Sequence, residues 1–74
     1  MSRIVFYTRR GCPLCDKARS ALQAAGLRFD EVDIGSDPGL EAEYGWTIPV
    51  VEVDGRPVFE AGMDPATLPE MISG

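Results

Sequence analysis

The sequence has no histidine and only two cysteines, Cys12 and Cys15, among its 74 residues. A closed zinc site usually takes four ligands, so two thiolates would need carboxylates or a second subunit to complete one. We therefore expect no zinc site. Copper(I) is not excluded in the same way, because two soft thiolates are enough to bind it.

Long hydrophobic runs are also missing. The apolar run after Arg3 is only IVFY, whereas a secretory signal core takes about 7 to 15 apolar residues and a membrane-spanning helix about 20. We therefore expect a cytoplasmic protein that has no membrane partner. In that compartment, cysteines at positions i and i+3 indicate catalysis or metal binding before a structural disulfide, because so small a loop restricts little chain entropy.

Positive charge is in the minority, because seven basic residues face twelve acidic ones and the net charge is -5. An acidic surface repels a duplex, so we expect no nucleic-acid partner. Five of the basic residues nevertheless lie near the cysteines: Arg3, Arg9, Arg10, Lys17 and Arg19. The cysteine end is therefore predicted to be locally positive on a negative body, which suits a solvated face as well as a functional one.

The length and the 45% apolar content predict one packed domain over residues 1–74. The nearly continuous apolar run RIVFYT predicts a buried strand, and the helical spacing from Pro13 predicts a helix that stops at Gly26. LRFDEVDI predicts a second strand and SDPGLEAEYG a short helix. A right-handed crossover would make the two strands parallel.

The last third of the sequence predicts a hairpin and a helix. Asp54-Gly55 is a strong two-residue turn signal between Val-rich arms, and Pro57 favours an edge position for the second arm. A helix is expected to start near Asp64, but Pro69 is expected to interrupt it because the residue before a proline avoids helical angles. The fold class is therefore α/β, in the order β-α-β-α-β-β-α, with a mixed four-stranded sheet and flanking helices.

Both cysteines fall where the first strand leads into the first helix. A cysteine at a helix N-terminus meets unpaired N–H groups and the positive end of the helix dipole, and both favour the thiolate. Cys15 shares an apolar helix face with Ala18 and Leu22, whereas Cys12 lies at the exposed tip. We therefore predict that Cys12 attacks a disulfide and that Cys15 resolves the mixed disulfide. Pro13 fits the first helical turn and stiffens the loop.

A copper chaperone is the alternative from another functional class. Small copper chaperones also place CxxC between a strand and a helix, and they resemble this chain in CPLCDKARSALQAAG. They typically carry Met two residues before the first cysteine, where this sequence has Arg10. A Cu(I)-binding metallochaperone that uses Cys12 and Cys15 therefore stays open.

A second motif, WTIPV, favours redox chemistry. Together with VFYTRRGCPLC and the pair Ala61-Gly62, it resembles the glutaredoxin branch of the thioredoxin superfamily over nearly the whole chain, and CPLCD looks like its small bacterial glutaredoxin-like proteins. The resemblance implies a thioredoxin-like fold and a monomeric thiol-disulfide oxidoreductase in electron transport, with no bound cofactor or metal. Glutathione would be the reductant, and glutathione mixed disulfides or a disulfide-containing protein the substrate.

The resemblance also implies residue roles. Pro49 would be cis and packed against the dithiol, and the backbone of Ile48 would pair with a bound peptide or glutathione as an added strand. Arg9 occupies the place of a glutathione-binding lysine, and Asp64 the place that holds the glutathione amino group. The implied substrate or glutathione contacts are Arg9, Pro13, Leu14, Thr47, Ile48, Pro49, Gly62, Met63 and Asp64.

Some residues depart from the family pattern. Leu14 replaces the tyrosine common between the cysteines, and Ala61 replaces the first of two glycines. AGMDPATL is similar in outline to the tail of ribonucleotide-reductase redoxins, so thioredoxin reductase is the alternative electron donor. Trp46 either shields the dithiol or contacts a partner, or else it is a partly buried aromatic.

Overall fold

The computed structural model describes residues 3–73 of the chain. Its strands are β1 (Ile4–Thr8), β2 (Asp30–Asp33), β3 (Val50–Val53) and β4 (Arg56–Phe59). Its α-helices are α1 (Pro13–Ala24), α2 (Pro38–Tyr44) and α3 (Leu68–Ser73), and short 3-10 turns lie at Ile34–Ser36 and Pro65–Thr67. None of the helices in this range is both long and apolar enough to cross a membrane.

The strands form one mixed sheet in the order β2-β1-β3-β4. β1 runs parallel to β2 and antiparallel to β3, and β3 runs antiparallel to β4. The predicted α/β class and mixed four-stranded sheet are confirmed. This topology places Thr8 at the carboxyl end of β1 beside Asp33, at the edge of the sheet where β3 begins with Val50. The dithiol follows β1 at that same edge.

The core fills one face of the sheet. It consists of strand residues Ile4, Phe6, Val51 and Phe59 packed against helix residues Cys15, Ala18, Leu22 and Leu68. On the opposite face, the ring of Tyr44 in α2 stacks on Tyr7 with the centroids 4.1 Å apart. The Tyr44 hydroxyl donates to Glu52 at 2.9 Å, so α2 is held to β3 as well as β1. Of the two cysteines, Cys15 is therefore part of the hydrophobic core.

Local signals in the sequence explain where the elements begin and turn. Asp37 caps α2, because its side chain accepts hydrogen bonds from the backbone N–H groups of Gly39 and Leu40. Asp54 and Gly55 have φ values of 52° and 82°, the left-handed pair that a tight hairpin turn of this kind requires. The hairpin and the edge position of the strand that contains Pro57 are both as predicted.

Two predicted boundaries were wrong. The second strand covers only Asp30–Asp33, because the Asp33 side chain accepts from the Gly35 N–H at 2.8 Å and turns the chain into a 3-10 segment. Pro69 does not interrupt the last helix, since Leu68 adopts helical angles of φ -52° and ψ -48°. Pro69 is the second residue of α3, in the first turn where a proline is tolerated, and the fully buried Leu68 anchors the helix to the core.

Candidate active site

The two thiols lie at the turn from β1 into α1. Gly11, with φ at 74°, redirects the chain before Cys12, and Cys12 is the N-cap of α1. The Cys12 Sγ accepts a hydrogen bond from the backbone N–H of Cys15 at 3.2 Å. Cys12 is half-buried, whereas Cys15 is fully buried. The predicted difference in exposure between the two sulfurs is confirmed.

The surroundings of Cys15 hold it as a neutral thiol. Burial raises the pKa of the Cys15 thiol above its ordinary value, and a hydrogen bond with the Cys12 side chain raises it further. The Thr8 hydroxyl and the backbone of Arg9 lower the pKa of Cys15 and so oppose this effect. The two sulfurs are therefore chemically as well as sterically different.

Thr8 was not among the predicted site residues. It is only 3% exposed, and within residues 3–73 its Oγ1 has no partner in good hydrogen-bond geometry, although it acts on the Cys15 thiol. A hydroxyl that ends an otherwise apolar strand is the sequence signal that points to it. A buried polar atom without a full hydrogen bond is unusual in a folded protein.

We expect iodoacetamide to modify Cys12 and to spare Cys15 in the reduced protein at neutral pH. Cys15 is buried, and a raised pKa means that its reactive thiolate forms only at higher pH. Peptide mapping by mass spectrometry after a timed reaction measures both sites. In a Cys12→Ser variant, modification of Cys15 should be slow at neutral pH and should accelerate as the pH rises. Equal labelling of both cysteines in the folded protein would contradict this assignment.

The Thr47-Ile48-Pro49 segment leads into β3, whose first residue, Val50, pairs with Tyr7 near the end of β1. Ile48 packs against the same core cluster as Cys12, and that cluster contains Cys15. The Ile48–Pro49 peptide bond is cis, as the family resemblance implies, and Pro49 is buried. Both motifs of the sequence therefore contribute a residue that packs against the core cluster containing Cys15.

The segment that contains Gly62 and Met63 is tied to this site. The Thr47 carbonyl accepts from the Ala61 N–H at 3.0 Å, and Met63 packs against the cluster that contains Cys15. Gly62 is exposed and has a φ of 95°, a left-handed value that favours glycine. Pro13 and Leu14, the first two residues of α1, follow Cys12 directly and are exposed.

Three groups expected to bind glutathione already have partners inside the protein. Arg9 forms an ion pair with Glu41 of α2. The Ile48 N–H donates to the Tyr44 carbonyl at 3.0 Å. The Asp64 carboxylate accepts from the Ala66 N–H at 3.0 Å and so caps the 3-10 turn at Pro65–Thr67. A ligand would have to compete with each of these contacts.

The positive charge near the dithiol is only partly compensated. Arg19 pairs with both Asp16 and Glu31 at 2.7 Å, so one guanidinium is shared by two carboxylates. No ion pair of Arg10 or Lys17 occurs in the described part of the chain. Arg10 instead lines a surface pocket with Asp16, Glu31 and Asp33, so acidic groups lie near it without a direct ion pair.

Exposed apolar side chains flank the same site. Leu14 is 50% exposed and Trp46 is 95% exposed, so the alternative of Trp46 as a partly buried aromatic is wrong. Trp46 also borders a surface groove of about 560 Å³, which is lined by Arg9, Pro38, Glu41, Ala42, Gly45 and Trp46.

Residues 3–73 contain no cluster of three or more acidic or cysteine side chains suited to hold a metal ion.

Comparison with known proteins covers the whole of this site. Residues 3–73 match the family model of the glutaredoxin-like domain. The Gene 56 protein of Mycobacterium phage L5 is 33% identical over 75 residues, which cover 93% of this chain and 71% of that protein. A glutaredoxin of Pseudomonas aeruginosa is 40% identical over 43 residues, 58% of this chain and 51% of that protein. A structural-genomics target from X. campestris superposes with a TM-score of 0.82 at 33% identity, over 95% of both chains.

Proposed function

The chain belongs to the glutaredoxin-like family, whose thioredoxin-like fold it shares and whose chemistry is that of thiol oxidoreductases, and we propose that it reduces disulfides by exchange through Cys12 and Cys15. One observation carries this proposal. The half-buried Cys12 sulfur caps α1 and accepts the N–H of a fully buried second cysteine. An accessible nucleophile directly before a buried resolving thiol is the arrangement that two-step exchange needs.

In the first step, the Cys12 thiolate attacks one sulfur of the substrate disulfide. A bond forms between Cys12 and that sulfur, the substrate S–S bond breaks, and the other half leaves as a thiolate that takes up a proton. Before the attack, the Cys15 N–H donates to the Cys12 sulfur, which lies at the N-terminal end of the α1 dipole. The product of this step is a mixed disulfide.

In the second step, Cys15 releases the remaining half of the substrate. The hydrogen bond with Cys12 and the charge of Cys12 both raise the pKa of Cys15. Both influences are lost once the Cys12 sulfur is bonded to the substrate. The Thr8 hydroxyl and the Arg9 backbone, which favour the Cys15 thiolate, remain. Cys15 then loses its proton and attacks Cys12, which leaves a Cys12–Cys15 disulfide and a second free thiol. Two electrons have moved from the dithiol to the substrate.

Glutathione is the electron donor in this proposal. Two glutathione molecules would reduce the Cys12–Cys15 disulfide and leave as glutathione disulfide, in a cytoplasm that keeps thiols reduced. Thioredoxin reductase is the second candidate donor. The internal partners of Arg9, Ile48 and Asp64 favour it, because these are the groups that would otherwise hold glutathione.

We expect millimolar glutathione to reduce the oxidised protein, because the half-buried Cys12 is more accessible than the fully buried Cys15 and attack on its sulfur does not require a preformed pocket. The protein would be acid-quenched at timed intervals, its free thiols labelled with a maleimide, and the reduced fraction measured by mass. A parallel sample would contain NADPH and thioredoxin reductase. Fast reduction by the reductase alone would move the donor role to that enzyme. No cycle of reduction and substrate-driven reoxidation with either donor would contradict the proposed function.

A further inference from the structure

The groove beside Trp46 borders segments that carry both motifs of the site. Arg9 lines it and lies in the loop between β1 and α1, where its backbone hydrogen-bonds to the Cys15 thiol. Trp46 lines it as well and directly precedes Thr47-Ile48-Pro49. Arg9 is three residues from Cys12, a span of at most about 11 Å along the chain. Groups close to the sulfur atoms of a substrate therefore come within reach of this groove.

The groove carries no net charge. In the part of the chain that the structure describes, Arg9 is the only cationic side chain that lines it, and its guanidinium forms an ion pair with the Glu41 carboxylate. The other lining residues are uncharged: Pro38, Ala42, Gly45 and Trp46. An incoming carboxylate would meet the negative charge of Glu41 together with the positive charge of Arg9, so it would gain little attraction. The groove is therefore suited to an uncharged group.

The chain is packed closely around this ion pair. A Cβ atom at residue 45 would lie 2.8 Å from Oε1 of Glu41 and 3.4 Å from the Arg9 guanidinium, and it would also clash with the Glu41 carbonyl. Gly45 has ordinary helical angles, with φ at -55° and ψ at -27°, so its backbone does not require glycine. The missing side chain at Gly45 therefore leaves the room that Glu41 and Arg9 occupy.

Other contacts hold α2, and with it Glu41, in place. The ring of Tyr44 stacks on Tyr7 with the centroids 4.1 Å apart, and the Tyr44 hydroxyl donates to Glu52 at 2.9 Å. These contacts do not involve Arg9. Removing the charge of Glu41 should therefore free the Arg9 guanidinium and leave α2 on the sheet.

We infer that Glu41 is a specificity-determining residue, which withholds the Arg9 cation from carboxylate-bearing disulfides and so favours substrates with uncharged groups beside their sulfur atoms. This inference rests on the proposed exchange through Cys12 and adds no chemical step to it. Glutathione, which carries carboxylates, then acts as a donor through its millimolar concentration and without recognition by Arg9.

Glu41→Gln tests the inference, because it keeps the shape of the side chain and removes its charge. The prereduced proteins are mixed with glutathione disulfide or with the neutral bis(2-hydroxyethyl) disulfide, and single-turnover rate constants are measured. Each constant is divided by that of dithiothreitol with the same disulfide, which removes the intrinsic reactivity of the disulfide. In the wild type, the neutral disulfide should have the larger normalised rate.

We expect Glu41→Gln to speed the reduction of glutathione disulfide about fivefold, the upper range for a partly exposed ion pair, and to leave the neutral disulfide unchanged. The gain should shrink at high salt, because salt screens the attraction between Arg9 and a carboxylate. Glu41→Ala, which removes the contact as well as the charge, should give the same gain. Circular dichroism checks that both variants are folded.

Glu43→Gln is the matched control. Glu43 lies on the same helix, is exposed and forms no ion pair within residues 3–73. This variant changes the net charge by the same amount and should alter neither rate. An equal gain in Glu43→Gln and Glu41→Gln would show a net-charge effect and overturn the role of Glu41. Adding Arg9→Gln to Glu41→Gln should cancel the gain, and a gain that persisted would contradict the competition for Arg9.

The neutral disulfide separates this inference from the proposed function. If the wild type reduces neither disulfide, the exchange function itself is wrong. If it reduces both and Glu41→Gln brings no gain with glutathione disulfide, exchange stands and the role of Glu41 is wrong. Equal acceleration of both disulfides would also overturn that role, because Glu41 would then act on the thiols and not on recognition. A wild-type preference for glutathione disulfide would show that the site already selects carboxylates.

Discussion

Replacing Cys12 by Ser is expected to lower the rate of disulfide reduction more than about a thousandfold, to the level of the uncatalysed exchange. The thiolate is the attacking species, and a serine hydroxyl stays protonated at neutral pH. The Cys12 side chain is half-buried, and serine differs from cysteine only by oxygen in place of sulfur, so the fold should be retained. Single-turnover reduction of bis(2-hydroxyethyl) disulfide measures the effect, with circular dichroism as the check of folding.

Cys15→Ser and Cys15→Ala are the controls that separate attack from resolution. Both should still form the mixed disulfide through Cys12 but should release it slowly, so that an adduct accumulates and is seen by mass spectrometry. Glutathione can still resolve that adduct, which preserves a slow monothiol reaction. The alanine variant guards against a fold effect of the serine, since Cys15 is fully buried and a hydroxyl there lacks an assured partner. Full activity of Cys12→Ser would contradict the assigned nucleophile.

The fold was largely predictable because its local and global preferences agree. The spacing of Cys15, Ala18 and Leu22 predicted one buried helix face, and all three are fully buried. The Asp54-Gly55 pair predicted the hairpin by its turn chemistry alone. The same helical spacing predicted which cysteine is the more accessible, and that difference is the basis of the proposed mechanism.

The features that could not be predicted depend on contacts between residues that are distant in the sequence. The ion pair of Arg9 with Glu41 requires α2 to lie beside the dithiol loop, and no local pattern around Arg9 indicates that placement. Trp46 follows a helix and precedes a buried proline, so either burial or exposure suits its neighbours in the chain. At Pro69 the local pattern was misleading. The residue before a proline usually avoids helical angles, but Leu68 adopts them, and its burial anchors the start of the helix.

Phe6→Ala is expected to lower the free energy of unfolding by about 3 to 5 kcal/mol, through lost burial and a cavity. Phe6 is fully buried, its ring meets Phe29 edge-on with the centroids 5.9 Å apart, and the Arg19 guanidinium lies 5.8 Å from its centroid. Stability per residue in typical domains scales to about 4 to 11 kcal/mol for a chain of this length, so the loss would be a large share of the total. Urea unfolding followed by far-ultraviolet circular dichroism measures the change.

The choice of probe and control follows from the structure. Trp46 is 95% exposed when folded, so its fluorescence reports unfolding poorly. Met71→Ala should change the free energy of unfolding by less than about 0.5 kcal/mol, because Met71 is 43% exposed and lies outside the core cluster. Phe6 and Cys15 belong to one core cluster, so Phe6→Ala should also speed the alkylation of Cys15 as that cluster opens more often. The expectation would be contradicted if Phe6→Ala lowered the free energy of unfolding by less than about 1 kcal/mol and Cys15 stayed protected from alkylation. The sheet and α1 would then keep the resolving thiol buried without the Phe6 ring.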